Sequence, residues 1–234
     1  GTSALATNTG GHGNTGVGAN SLDANTTGTS NTGIGHNALG ANTTANNNAA
    51  VGTHAMATST DGANSIAMGY AALYSNATGD NNTALGYASL YFNTANNNTG
   101  LGFDSLKANT TGSNNVGLGY NAQSACTTGV NNTSVGASAG YNITTGSSNV
   151  CIGIQAGRNL TSGSNNILIG NDPIPSANNV TNEIVLGNSS TSALRCQVQT
   201  ISALSDERDK TDIVDSEDGL NIINLLKPKK FTWA

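Results

Sequence analysis

Charge is scarce in this chain: Asp, Glu, Lys and Arg together make up 9% of its 234 residues. Within residues 1–182 the only basic side chains are Lys107 and Arg158. The electrostatic footprint for gripping a phosphate backbone is therefore missing, and nucleic acid is not an expected partner. No run of about 20 apolar residues is present, so no membrane insertion of this segment is expected. The chain opens on Gly1 in mid-repeat, which reads as a piece of a longer protein. Its three cysteines, Cys126, Cys151 and Cys196, lack metal-type spacing and read as buried free thiols. His12, His36 and His54 share no repeat position, so neither a metal site nor a cofactor is expected. The Asn-Gly dipeptide that marks tight hairpins is absent despite 36 Asn and 30 Gly, which argues against a ladder of hairpins.

What is present is a repeat. An aliphatic-Gly step recurs at Gly18, Gly35, Gly52, Gly69, Gly86, Gly102, Gly119, Gly136, Gly153, Gly170 and Gly187, always 17 residues apart except for 16 between Gly86 and Gly102. Such a period means one structural unit stacked on its neighbours. It also separates the chain from the disorder that abundant Asn, Thr, Ser and Gly would otherwise suggest. Before each of these marker glycines stands Val, Ile, Met or Leu, as at Leu85, Leu101 and Leu118; this column is expected to be buried. Leu22, Leu39, Met56, Leu73, Leu90 and Leu106 form a second apolar column four residues after the marker. Two residues before it the side chain is small, as at Gly16, Ala50 and Ala84, and suits close approach of a neighbouring chain. Four before it Asn recurs, as at Asn31, Asn48, Asn98, Asn115 and Asn132, and suits a ladder of stacked amides.

"N-T-small-aliphatic-G" alternates with period two and is too short for a helix, so each repeat supplies one short strand followed by a Thr, Gly and Asn turn. The expected fold is all-β: a parallel β-roll or β-solenoid of about eleven coils, a rod of roughly 50 Å. Each coil brings only two or three apolar side chains against an ordering cost of about 1 to 2 kcal/mol per residue, so association of several rods is expected to supply further burial.

The pattern changes near residue 183. "EIVLGNSSTSALRCQVQTISAL" is denser in aliphatics and reads as a neck in which chains intertwine, over 183–205. Twelve of the 21 charged residues then fall in the last 29 positions. Ser216 is placed to cap a short helix carrying Leu220 and Ile223, with Pro228 ending it and "FTW" following as a strand.

"SDERDKTDI", Ser205 to Ile213, resembles the opening of the intramolecular chaperone auto-processing domain at the C-termini of phage tailspikes, endosialidases and tail fibres. That signature is close to S-D-x-R-x-K-x-D-I followed by a helix and a Pro-x-x-F-x-W/Y strand; Asp209 stands where a bulky apolar residue is usual. The repeats similarly resemble those of phage and bacterial surface fibres and, more loosely, the β-roll heads of trimeric adhesins. The resemblance implies an intertwined homotrimer in three parts: a repeat fibre over 1–182, the neck, and from 206 to 234 a small α+β start of the chaperone domain. It implies self-cleavage between Ser205 and Asp206, with Ser205 as nucleophile, Lys210 as base and Asp206 orienting the bond. No external substrate is expected.

Tyr70, Tyr87, Phe103 and Tyr120 follow the marker in consecutive repeats. Stacked coils would align them, either to hold sugar rings or, as the preferred reading, to stabilise the coils. The function expected is a structural fibre for attachment to a host or other surface, a phage tail fibre on a virion, meeting a glycan or protein receptor. A bacterial surface adhesin is the alternative. An ice-binding solenoid, suggested by Thr27, Thr44, Thr78, Thr94, Thr111, Thr128 and Thr145, is a remote third.

Overall fold

A computed structural model describes residues 1–195. Each repeat contributes one three-residue strand, from β1 (Thr15–Val17) to β11 (Ile184–Leu186), and all eleven join a single parallel sheet in sequential order. Equivalent residues of successive repeats pair directly, as Thr15 with Thr32 and Val17 with Ile34. No helix interrupts the described residues. The all-β parallel solenoid with a 17-residue coil is therefore the fold.

Strand accounts for only three residues of each coil, yet the corners are bonded along the axis as well. Leu22 N–H donates to the Ala38 carbonyl at 3.1 Å, and Thr26 N–H to that of Thr43 at 2.9 Å. The polar backbone of each coil is thus satisfied mainly by its neighbours. The marker glycine makes the bend after each strand, with φ of +136° at Gly119 and +131° at Gly102. A side chain there is excluded twice. The backbone angle suits glycine alone, and a Cβ on Gly102 would overlap the carbonyl oxygen of Gly119 in the next coil.

The interior differs from the sequence reading. Leu85, Leu101 and Leu118 do form one column, paired across consecutive strands, but it lies on the outer face of the sheet. Leu118 is 39% exposed, and Leu85 and Leu101 are half-buried. The inward position is the small middle residue of each strand, such as Ala50, Ala67 or Ala84, all fully buried. The reason is the thinness of the coil. The column four residues past the marker, Leu22 to Leu106, enters from the opposite wall and leaves no room for bulk; a Cβ on Gly117 would sit 2.9 Å from Leu106 Cγ. These leucines adopt φ near +52°, an uncommon angle for a branched side chain, held by their complete burial.

Volume is conserved as the column pattern drifts. Up to Leu106 the coil holds Leu or Met four residues after the marker and, in most coils, Asn seven after it (Asn25, Asn42, Asn76, Asn93, Asn109). Later coils replace this pair with Gln123 and Cys126, then Gly140 and Ile143, then Gly157 and Leu160. The middle strand residue grows in step, from Gly117 through Ser134 and Cys151 to Leu168. The core divides accordingly into two clusters, one around Leu22 to Cys126 and one around Ile143, Cys151, Leu160 and Leu168. The 16-residue coil loses its residue in the corner between Asn93 and Asn98, leaving strand register intact on both sides.

The Asn column before each strand forms the expected ladder. Asn115 Oδ1 accepts from Asn132 N–H at 3.0 Å, while Asn115 Nδ2 donates to the Gly129 carbonyl at 2.7 Å. Identical bonds link Asn98 to Asn115 and Asn132 to Asn149. A second amide ladder, not anticipated from the sequence, has Asn42 Nδ2 donating to Asn25 Oδ1 at 2.7 Å and Asn109 Nδ2 to Asn93 Oδ1 at 2.6 Å. Its regular recurrence seven residues after the marker was the available signal.

Three substitutions test this account by thermal unfolding followed by circular dichroism. Gly102→Ala is expected to destabilise by more than about 3 kcal/mol through strain and overlap, whereas Gly10→Ala, where a Cβ meets nothing closer than 3.5 Å, changes stability little. Asn115→Ala, which strips partners from two buried backbone groups, is expected to cost about 2 to 5 kcal/mol.

Candidate functional surface

The outer face of the sheet follows from strand periodicity. With the middle residue turned inward, the first and third residues of each strand face out together. Those 22 positions are all Thr, Ala, Val, Ile, Leu or Met, with no charged residue and no proline. Val17 is 54% exposed and Leu186 49%, with Ile34, Met68, Ile152 and Ile169 also exposed between them. From Val150 onward both outward positions are aliphatic in every coil, as in Ile167–Ile169 and Ile184–Leu186.

Along one edge of this face runs the aromatic ladder. Tyr70 and Tyr87 stack with centroids 5.2 Å apart and 12° between planes; Tyr87 and Phe103 lie 5.1 Å and 9° apart, Phe103 and Tyr120 5.5 Å and 17° apart. All four are exposed, but the stacking covers ring faces, and it is the face that a sugar would need. Tyr74 and Tyr91, a pair that the sequence reading did not single out, stack in parallel at 5.0 Å. His36 occupies the same repeat position as these ladder residues, one after the marker, and meets His54 edge-on at 5.2 Å. His54 in turn lies edge-on to Tyr70 at 6.2 Å, so the histidines extend the ladder rather than stand apart.

Other polar groups are committed to structure. Lys107 pairs with Asp104 at 2.8 Å and Arg158 with Asp172 at 2.7 Å. Several threonine hydroxyls of the turn donate to the next coil, as Thr26 Oγ1 to the Thr43 carbonyl at 3.1 Å and Thr110 Oγ1 to that of Thr127 at 2.9 Å. Cys126 and Cys151 are free and buried, and burial pushes the Cys151 thiol up to about 12, so it is no thiolate nucleophile. Among the described residues no three His, Cys, Asp or Glu side chains gather as metal ligands, and no helix is long and apolar enough to cross a membrane.

Ser205, Asp206 and Lys210 lie outside the described residues, as do Cys196 and the expected helix and strand after Ser216. Their sequence, however, carries a family match. Residues 205–234 match the family described as chaperone of endosialidase. This chaperone segment, preceded by a parallel solenoid of 17-residue coils, fits a phage tail fibre or tailspike with a C-terminal chaperone domain. No curated protein and no solved structure was found to match the chain.

If the ladder serves packing, Tyr87→Ala and Phe103→Ala are each expected to lower stability by about 1 to 3 kcal/mol, through lost burial and stacking, in chemical denaturation. Unchanged stability together with lost attachment to a target surface would instead mark the ladder as a binding site.

Proposed function

We propose that this chain is part of a homotrimeric attachment fibre of a phage particle, assembled with the help of its C-terminal chaperone segment. The observation that carries the reading is the family match at residues 205–234 beside an eleven-strand solenoid that has no catalytic constellation in its described residues. A rod of this kind extends reach, and its stacked coils resist disassembly, since opening one requires breaking bonds to two neighbours. The stretch 183–205 is proposed as the neck where three chains intertwine. Trimerised chains unfold only by separating, which gives stability of a kinetic kind. The receptor is a surface glycan or protein.

We further propose that a chain carrying the whole chaperone domain cuts itself between Ser205 and Asp206. Ser205 Oγ attacks its own carbonyl carbon or a neighbouring one, Lys210 accepts the hydroxyl proton, and the amine of Asp206 leaves with a proton; water then hydrolyses the ester so formed. Lys210 serves as base only when uncharged, and Asp209 beside it favours the charged form, which slows the reaction.

Light scattering on the full chain is expected to give three times the chain mass; a monomer removes the fibre reading. Mass spectrometry on a chain extended through the complete chaperone domain is expected to show a fragment ending at Ser205. Ser205→Ala abolishes it and Lys210→Ala slows it strongly, with the trimer retained in both. An uncut trimer in the unaltered chain would mean that the segment acts as chaperone alone.

A further inference from the structure

We propose that the copies meet through the outer face of the parallel sheet, packed along the rod axis with like coils at like height. This rests on the fibre reading and narrows it to one surface, opposite to what the sequence suggested. There the small-residue column was to admit a neighbouring chain; in the structure that column is sealed inside the coil, and the aliphatic column takes its place outside.

Three observations select a copy of this chain as the occupant. The first is length. An aliphatic side chain stands outward, exposed or half-buried, at the third position of every strand from Val17 to Leu186, about 50 Å at the usual inter-strand spacing. A partner that covers every coil must repeat at the same interval over the same distance, and an identical rod does so automatically. The second is charge. The chain is acidic, with a formal net charge of −5, yet no outward strand position carries a charge, so identical copies can approach here without repulsion; nor does the face offer a charge pattern by which a different partner would be selected. The third is area. A strip about 50 Å by 10 Å, before side-chain relief and the flanking aromatic ladder are counted, lies at the upper end of the apolar patches that monomers leave to water, about 300 to 600 Å². With relief and ladder it approaches the roughly 800 Å² a side of a stable interface. The widening of the apolar strip from Val150 onward places the tightest contact at the C-terminal end of the solenoid.

The test uses the full 234-residue chain with Leu118→Cys under mild oxidation, read on non-reducing gels. Around a threefold axis the three introduced thiols face one another, and up to two chains in three become linked as a disulfide dimer. Thr111→Cys, on an exposed corner of the coil, and the otherwise unaltered chain set the baseline, all in a Cys196→Ser background, since Cys126 and Cys151 are buried. In parallel, the double variant Leu118→Asp with Ile152→Asp is expected to retain its circular dichroism spectrum and lose its trimeric mass. Cross-linking above baseline at Leu118→Cys supports the face even if the double variant fails to fold. A trimer that shows no cross-link above baseline and survives the double substitution overturns the face while leaving the fibre reading intact. A monomeric unaltered chain overturns both.

Discussion

Everything in the solenoid depends on one constraint: the hydrogen-bond partners of a coil lie mainly in the coils before and after it. A bond from residue i to residue i+17 forms only if both coils follow the same path, so the shape of one unit is dictated by its neighbours. The marker glycines show how narrow the tolerance is. Each brings its Cα against the peptide of the next glycine, an approach that any side chain would block. Asn enforces the same spacing from within, because one carboxamide reaches both a backbone N–H and a carbonyl of the following coil. A buried polar ladder is stabilising only where each amide is paired, and identical repeats supply the pairing without further design.

Within that fixed path the core is adjustable. Leu and Asn give way to Gln and Cys, then to Gly with Ile or Leu, without disturbing the strands, because bulk lost from one wall is returned by another. The glycines that arrive at 140 and 157 keep the positive φ that Leu22 to Leu106 carry at the same position but adopt it without side-chain strain. Shape complementarity is thus renegotiated coil by coil, while the backbone geometry stays constant. The 16-residue coil shows the complementary freedom: length varies at a corner, where Ala95 stands near the usual turn glycine, and not in a strand.

Much of this was legible in the residues. The period, the parallel stacking, the strand positions and the first Asn ladder all follow from columns that recur at 17, and the chaperone motif from the wording "SDERDKTDI". Which side of the strand faces inward was not legible. The aliphatic side of a three-residue strand reads as core and the small side as outer surface, and hydrophobicity alone favours that wrong assignment. The deciding fact is the width of the coil, set by Leu and Asn on the far wall, and width is a property of the closed path that no single strand reveals. The role proposed for Ser205 and Lys210 rests on resemblance alone, since nucleophile and base are identified by geometry that spacing does not supply.

The second ladder of buried amides is interrupted after Asn109, where Cys126 takes the Asn position and Asn109 Oδ1 lacks a partner, and also at Ser59. At position 59 a serine replaces the Asn of the neighbouring coils, and both its hydroxyl and Asn42 Oδ1 are left buried without a partner. In a stack whose stability is a sum of nearest-neighbour terms, such a coil is a weak link. Amide protons beside it then exchange with solvent through a local opening, and mechanical load applied along the fibre meets a soft seam there.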